Sequence, residues 1–221
     1  MASAAHLEGR AVLGPGAAVV VDARGGDVGV AELRRAMVNP ERTLLSDLVE
    51  VDETELPLRS RHDPIAEHGI TNVGKLLIIG AVEIDETSRP HRLRLEPLKD
   101  KTGPSVRGFV ERVVERGATV VSDGLPGYRK LSEHRHIGKT VGNMAAHVLL
   151  PWIHRASSNL KRWFMGTLHG VRKQHLRRYL DEFVFRWNRR RSTRLAFDTL
   201  LGMAARLSHF SMRDFVPRPA R

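Results

Sequence analysis

The sequence predicts an α/β fold, in which a mixed β-sheet has flanking helices and is followed by a helical carboxyl-terminal part. Three stretches with strand-like apolar patterns come first, then an amphipathic helix, then a fourth short apolar strand. Beyond the fourth strand the apolar residues have helical spacing. Strands combined with amphipathic helices in one chain are typical of a sheet that is covered by helices.

Each predicted element rests on its own apolar pattern. The first and third strands alternate apolar and polar residues, the second (KLLIIGAVE) is a nearly continuous apolar run, and the fourth is ATVVS. The apolar residues of the first long helix share one face from Val106 to Val113, and Gly117 is expected to end it. The predicted strands span 48–53, 75–83, 91–96 and 118–122, a loop spans 55–74, and the predicted helices span 31–38, 102–117, 126–132, 150–165, 172–190 and 196–207.

Composition narrows the class of protein. The 221 residues include 28% charged and 41% hydrophobic residues, as in soluble globular proteins. Apolar runs stay well below the ~20 residues of a membrane span, and no secretory signal is recognisable, so we expect a cytoplasmic protein without a membrane partner. The chain has no cysteine, which excludes disulfides, thiolate zinc sites and cysteine nucleophiles. A net charge of +11 suggests a polyanionic partner, although many basic proteins bind nucleic acid only incidentally.

Two similar strings compete for one chemical role. Three strands, a helix and a fourth strand, with acids at the ends of the first and fourth, have the order of the ribonuclease H-like (integrase-type) fold. VEVDET offers Asp52 and VEIDET offers Asp85. The first and fourth strands are neighbours in that fold, so Asp52 and Asp123 can converge, whereas Asp85 leaves too few strands between the acids. Two carboxylates held together favour a hard divalent cation, which suits Mg²⁺-assisted phosphodiester chemistry. Taken singly, each aspartate is equally explained as a strand-end or turn residue, and Asp-Gly is a common turn signal.

A third ligand is expected on the helix over 150–165. That segment has no acidic residue, so His154 and Asn159 are the options. His154 and Lys161 are seven residues apart and share one flank of the helix, while Asn159 falls on another. Lys161 could then hold a phosphate beside the aspartates. A single histidine on a helix is more often a surface or capping residue.

The last third of the chain concentrates positive charge. RKQHLRRYLDEFVFRWNRRR has one apolar stripe at helical spacing, from Leu176 to Trp187, and its arginines lie largely off that stripe. The arginines either form the solvated face of a helix that packs on the core or contact the backbone of DNA.

Several strings, in order, resemble one family. They are LRRAMVNPERTLLSDLVEVDET, GAVE, VVSDGLPGY, IHRASSNLKRW, GTLHGV and YLDEFVFRWNRR. From about residue 33 to residue 213 the chain resembles DDE transposases of bacterial insertion sequences, in the ISXO2-like group with a DDxK-type tetrad. The resemblance implies a ribonuclease H-like domain that cuts DNA at the ends of the element and joins the 3′ ends to target DNA, with Mg²⁺ as cofactor and a dimer assembled on DNA.

The resemblance also implies roles for single residues. Asp52 and Asp123 are the first two metal ligands, His154 takes the place of the usual third glutamate, and Lys161 is the lysine of the tetrad. Imidazole suits Mn²⁺ better than Mg²⁺, so Mn²⁺ is a second candidate cofactor. The residues expected to contact DNA are Lys161, Arg162, Arg172, Lys173, Arg177, Arg186, Arg189 and Arg190.

The domain prediction follows from the same resemblance. Residues 1–28 match nothing and are expected to be disordered, 29–46 to be the remaining helix of an end-recognition module, 47–213 the catalytic domain, and 214–221 a basic tail. Relatives carry a zinc ribbon and a helix-turn-helix, so the sequence is interpreted as shortened at its amino-terminal end. Two functions stay open: a transposase domain that cleaves and joins DNA, or an inactive remnant that binds DNA or pairs with intact transposase and inhibits it. A nuclease of host function is a more distant third.

Overall fold

The computed structural model describes residues 34, 36–39, 42–57, 75–139, 146–167, 175–192, 194, 196 and 198–200. The predicted elements and domains that fall on other residues, including most of the helices over 31–38 and 196–207 and the loop over 58–74, lie outside this part of the chain. The described elements are β1 (Leu48–Pro57), β2 (Lys75–Ile84), β3 (Pro90–Pro97), α1 (Gly103–Val113), β4 (Thr119–Ser122), a 3₁₀ turn (Pro126–Tyr128), β5 (Arg135–Gly138), α2 (Ala146–Leu149), α3 (Pro151–Thr167) and α4 (Leu176–Asn188).

The described strands form one mixed sheet in the order β3-β2-β1-β4-β5. β1, β2 and β3 are an antiparallel meander, and β4 pairs in parallel with the other side of β1. β5 then pairs in parallel with β4. This order and these directions are those of the ribonuclease H-like fold, and the α/β prediction is confirmed. None of the helices described is long and apolar enough to cross a membrane.

Helices cover both faces of the sheet. On one face, α1 buries Val106 and Phe109 against the inward side chains of β1 and β2. On the other face, α3 and α4 bury Ile153, Leu160 and Leu180 against the opposite side chains. The apolar stripe predicted for the basic helix is buried as expected, with Leu176, Leu180, Phe183, Val184 and Trp187 all in this second core.

The first strand is longer than its apolar alternation predicts. β1 continues to Pro57, and it pairs with β2 at every position from Leu48 opposite Ile84 to Pro57 opposite Lys75. The predicted strand end at residue 53 was wrong because the acidic residues there interrupt the apolar pattern without interrupting the backbone ladder. The predicted loop therefore begins after residue 57 and not at residue 55.

Two further boundaries differ from prediction between residues 102 and 138. α1 ends at Val113 because Val114 is extended and forms a parallel bridge with Leu45, so Gly117, with a φ of 85°, lies in the turn before β4. The helix predicted over 126–132 is only a 3₁₀ turn.

The fifth strand, β5, was not predicted. Its residues, RHIG, contain one apolar side chain, Ile137, which is itself exposed. A short edge strand of this kind is specified by its backbone pairing with β4, which leaves no periodic signal in the sequence.

Gly80 sets the distance between the sheet and α3. It lies on β2 directly opposite Asp52. A Cβ atom at this position would lie 2.8 Å from both Ile153 Cδ1 and Leu95 Cδ2, closer than real Cβ contacts. The missing side chain therefore lets Ile153, in the first turn of α3, pack directly onto the sheet beside Asp52.

We expect Gly80→Ala to lower the free energy of unfolding by about 1–3 kcal/mol, because the added methyl group overpacks this contact. Gly166→Ala is the matched control, since a Cβ there meets nothing within 4 Å, and alanine in a helix should stabilise by about 0.5–1 kcal/mol. Urea unfolding followed by circular dichroism measures both. Equal stability of Gly80→Ala and the parent protein would show that α3 does not depend on the close approach.

Candidate active site

Asp52 and Asp123 lie where β1 and β4 separate. The two strands pair in parallel from Leu48 opposite Thr119 to Glu50 opposite Val121. Asp52 and Asp123 each lie two residues beyond the last of these pairs, and they are close enough for the charge of Asp123 to raise the pKa of Asp52. Asp52 is thus just past the end of the pairing with β4, although it lies inside β1 and not at its end.

The carboxylate of Asp123 is held by its own turn. The backbone N–H of Leu125 donates to Asp123 Oδ1 at 3.1 Å, which is an Asx turn. Gly124 follows with a φ of 82°, a conformation that suits glycine. The Asp-Gly turn signal and the candidate ligand are therefore the same feature, because the turn fixes the direction of the carboxylate.

The site makes Asp52 hard to ionise. Burial raises the pKa of Asp52 from 3.8 to about 7, and the negative charges of Glu53 and Asp123 contribute to the rise. A carboxylate with this property gains from a neighbouring cation, because a positive charge removes both the desolvation cost and the repulsion. This fits a divalent cation bound by Asp52 and Asp123.

Asp85 has a different role. It follows β2, and its Oδ1 accepts hydrogen bonds from the backbone N–H groups of Thr87 and Arg89 and from the Thr87 hydroxyl. The Thr87 hydroxyl bond is the main cause that lowers the pKa of Asp85. VEIDET thus encodes a capped turn between β2 and β3, while VEVDET encodes the carboxylate that faces Asp123.

His154 approaches Asp52 from α3. Its Nε2 lies 3.7 Å from Asp52 Oδ2, and its side chain is 30% exposed. Of the options on this helix, His154 is therefore the side chain that the structure brings to the aspartate. Asp52, Asp123 and His154 do not come close enough together to form a three-ligand metal site. Among the described residues, no group of three acidic or histidine side chains could hold a metal ion.

Glu50 anchors α3, a role that sequence reasoning missed. Its side chain is buried, and Oε2 accepts hydrogen bonds from the backbone N–H groups of Trp152 at 2.8 Å and Ile153 at 2.9 Å. The helix begins with Pro151, which has no N–H, so these are the first donors that α3 exposes. Burial raises the pKa of Glu50, and the two backbone bonds oppose that rise. A carboxylate two residues before Asp52 thereby fixes the helix that carries His154.

A second supporting network lies on the opposite face of β1. Tyr128 is buried and donates its hydroxyl hydrogen bond to Glu53 Oε1. The ring of His136 stacks on Tyr128 with a centroid distance of 5.9 Å, and His136 Nε2 lies 2.9 Å from Ser122 Oγ. This network joins β1, β4 and β5 around the two aspartates. The sequence string VVSDGLPGY contains Ser122 and Tyr128, so these two residues could have been associated with the site. His136 lies on β5, and its position could not be predicted because β5 itself was not predicted.

Lys161 lies on the exposed side of α3. The helix is continuous from Pro151 to Thr167, so Lys161 is two turns beyond His154 on the same flank. A groove of about 590 Å³ runs along this helix, and Asn159 lines it together with His154 and Arg162. Asn159, predicted on a different flank, thus shares a groove with His154.

Several arginines predicted to contact DNA have partners within the chain. Arg177 lies 3.4 Å from Glu96 and 4.0 Å from Asp181, and Arg186 lies 3.0 Å from Glu182. Arg190 donates to the carbonyl groups of Pro90, His91 and Trp187, and Arg189 stacks on Phe185. Lys161 and Arg162 are exposed, while Arg172 and Lys173 lie outside the described residues.

We expect Glu50→Ala to destabilise the protein by about 1–3 kcal/mol, because it leaves the buried N–H groups of Trp152 and Ile153 without an acceptor. Glu50→Gln keeps an oxygen acceptor and should lose less. Glu55→Ala, on the exposed part of the same strand, is the control and should leave the free energy of unfolding unchanged. Urea unfolding measures all three, and an Ala variant as stable as the Glu55 control would contradict the anchoring role.

The sequence of residues 44–188 matches the family model of the ISXO2-like transposase domain. No curated protein matches the chain. A solved structure, the Mos1 transposase paired-end complex with left transposon end, is similar over 87% of this chain at 10% sequence identity with a TM-score of 0.29, and this chain spans 66% of that chain's length. The family match covers more than half of the 221 residues and extends from before β1 to the end of α4. The chain therefore belongs to the family of ISXO2-like transposase domains.

Proposed function

We propose that this chain is a DNA transposase catalytic domain that cleaves and joins DNA strands at a site formed by Asp52, Asp123, His154 and Lys161. The observation that supports the proposal is the proximity of Asp52 and Asp123 where β1 and β4 separate, with the pKa of Asp52 raised to about 7 by burial and by the neighbouring acids. Membership in a transposase family supports the same chemistry.

Asp52 and Asp123 are the residues that would hold a divalent cation, with His154 beside Asp52 as an additional ligand. When bound, Mg²⁺ or Mn²⁺ stabilises negative charge on the attacking and leaving oxygens of a phosphodiester. The imidazole of His154 in place of a carboxylate favours Mn²⁺, because nitrogen ligands suit Mn²⁺ better than Mg²⁺.

The remaining residues position the DNA. Lys161 and Arg162 are exposed on α3, about two turns beyond His154, and they would bind backbone phosphates there. Arg186, which is 43% exposed and paired with Glu182, could extend this surface from α4. Glu50 keeps α3 against the sheet, so these cations keep a fixed distance from the aspartates. The partners proposed are DNA at the ends of the element and at the target; a homodimer on DNA stays a prediction.

Strand transfer on pre-cleaved element ends tests the function. We expect Asp52→Asn and Asp123→Asn to lower the rate by about 10³-fold or more in either Mg²⁺ or Mn²⁺, because each removes a ligand charge from the site. Asp85→Asn is the matched control and should retain the parent rate, since Asp85 is a turn residue. DNA binding without strand transfer in either metal would overturn the catalytic proposal and favour the inactive, DNA-binding alternative.

The raised pKa of Asp52 gives a second test that does not depend on activity. The folded-state pKa of about 7 lies above the ordinary value of 3.8. The folded protein therefore loses free energy of unfolding as the pH rises from about 4 through 7 and Asp52 ionises. Asp52→Asn cannot ionise, so at pH 8 in chelator it should be more stable than the parent, by on the order of 2–4 kcal/mol. The difference should vanish near pH 4.

At pH 8, Mg²⁺ or Mn²⁺ should reduce the stability difference between Asp52→Asn and the parent. The cation would bind the folded parent through the Asp52 carboxylate and so stabilise it, while the variant lacks that carboxylate. Thermal unfolding across pH, with and without cation, measures both effects. If Asp52→Asn and the parent unfold at the same temperature at pH 8 in chelator, the pKa of Asp52 is not raised in the folded protein as described above.

A further inference from the structure

We infer that a cavity at the β3 edge of the sheet binds a phosphate group. The cavity, of about 450 Å³, lies between residues 37–39 and 42–43, β3 and α4. Four arginines line it, and Asp181 is the acidic residue among the described lining residues. We call it the arginine cavity, and its arginines are Arg42, Arg92, Arg94 and Arg189.

The arginine cavity is separate from the candidate active site. β3 is the edge strand, and β2 lies between it and β1. Two strand spacings correspond to about 10 Å across the sheet. In addition, Arg94 lies opposite Ala81, whose side chain is buried in the core on the α1 face, whereas His154 approaches Asp52 on the α3 face.

Arg94 is the buried charge of the arginine cavity. It is 7% exposed, and its guanidinium donates to two neutral acceptors, the Leu93 carbonyl at 3.1 Å and the Thr43 carbonyl at 2.9 Å. No carboxylate of the described residues forms an ion pair with it. The pKa of Arg94 is lowered to about 10, mainly by burial and in addition by the charges of Arg42 and Arg92. A buried cation of this kind is stabilised by an anion in contact with it.

The carboxylates near the cavity are already engaged. Glu83 is the acid whose charge favours the protonated Arg94, but Glu83 accepts hydrogen bonds from Arg92, His91 and the backbone of Ser46. Burial alone would raise the pKa of Glu83, and these bonds outweigh burial and hold it at about 2. Asp181, the acidic lining residue, interacts with the charges of Arg177 and Arg42. Among the described lining residues, four arginines against Asp181 therefore leave an excess of positive charge, even with Arg92 paired to Glu83.

Arg42 and Arg189 supply the rest of that excess. Arg42 is exposed, and Arg189 is half-buried with its guanidinium 4.1 Å from the centre of the Phe185 ring. Neither forms an ion pair with a carboxylate in the described part of the chain. Burial lowers the pKa of Arg189. Guanidinium groups from three elements thus face one cavity, and a phosphate can accept from several of them at once, because it presents oxygens in several directions.

The phosphate can come from a nucleic-acid backbone or from solution, and both sources share this recognition. The cavity is larger than one phosphate group, which leaves room for the sugar on either side of a phosphodiester. The first measurement is thermal unfolding of the full chain with inorganic phosphate at constant ionic strength. We expect phosphate to raise the unfolding temperature of the parent and of Arg116→Gln, and to raise that of Arg42→Gln and Arg189→Gln by less than half as much.

Arg116→Gln is the matched control, because its side chain is 81% exposed on the turn before β4 and its loss changes the net charge equally. Arg42→Gln is the main variant, since Arg42 is exposed and its replacement leaves the core intact. Circular dichroism verifies folding of each variant. Arg94→Gln serves only as a third variant. The Arg94 guanidinium also bonds to the Thr43 carbonyl and so positions the segment before β1, and its loss could change the structure as well as phosphate binding.

The second measurement is binding of a labelled DNA duplex, followed by anisotropy. A dissociation constant about 3- to 10-fold weaker for Arg42→Gln and Arg189→Gln than for Arg116→Gln assigns the phosphate to the DNA backbone. Loss of the inorganic-phosphate effect with unchanged duplex binding assigns it to a free phosphate. The inference is overturned if both variants match Arg116→Gln in both measurements. Neither measurement depends on strand transfer, so failure of the proposed catalytic function leaves this test unaffected.

Discussion

The central strand β1 carries acids on both of its faces, and the rest of the candidate site depends on how each acid is satisfied. Glu50 is bonded to the first N–H groups of α3, and Glu53 accepts the hydroxyl of Tyr128. Asp52, between them, has His154 at 3.7 Å, accepts a backbone hydrogen bond from Glu53 and lies close to Asp123. These contacts do not offset burial and the neighbouring negative charges, so the pKa of Asp52 stays raised at about 7. That raised pKa is the physical reason for proposing Asp52 as the residue that carries the chemistry.

The neighbours of Asp52 also determine how closely α3 can pack against the sheet. Glu50 attracts the amino-terminal end of the helix, and Gly80 removes the side chain that would hold the helix away from the sheet. The two contacts flank Asp52, one earlier on its own strand and one opposite it on β2. The position of His154 is therefore set by residues that carry no catalytic chemistry themselves. Such positioning has an energetic consequence, since keeping a partly buried carboxylate ionised lowers stability, and sites of this kind trade stability for function.

The sequence could predict features that leave a periodic or repeated pattern. Four strands and the buried stripe of α4 followed from spacing and strand order. Pairing between distant segments could not be predicted in the same way. β5 has one apolar residue, and its existence depends on the backbone of β4. The bond from Glu50 joins residues about a hundred positions apart, so nothing local in VEVDET indicates that its first acid anchors a helix.

Histidine at position 154 has a consequence for the charge of the site. The carboxylates of Glu53 and Asp123 already raise the pKa of Asp52, in addition to burial. A glutamate on the same turn of α3, in place of an imidazole 3.7 Å from Asp52, would add a third repelling charge and raise that pKa further. A neutral imidazole avoids this repulsion and can still donate an electron pair to a cation. If the proposed cation binds, a site with one imidazole carries less negative charge than a site with three carboxylates, and its folding depends less on that cation. Less negative charge and a nitrogen ligand are the physical basis for keeping Mn²⁺ beside Mg²⁺ as a proposed cofactor.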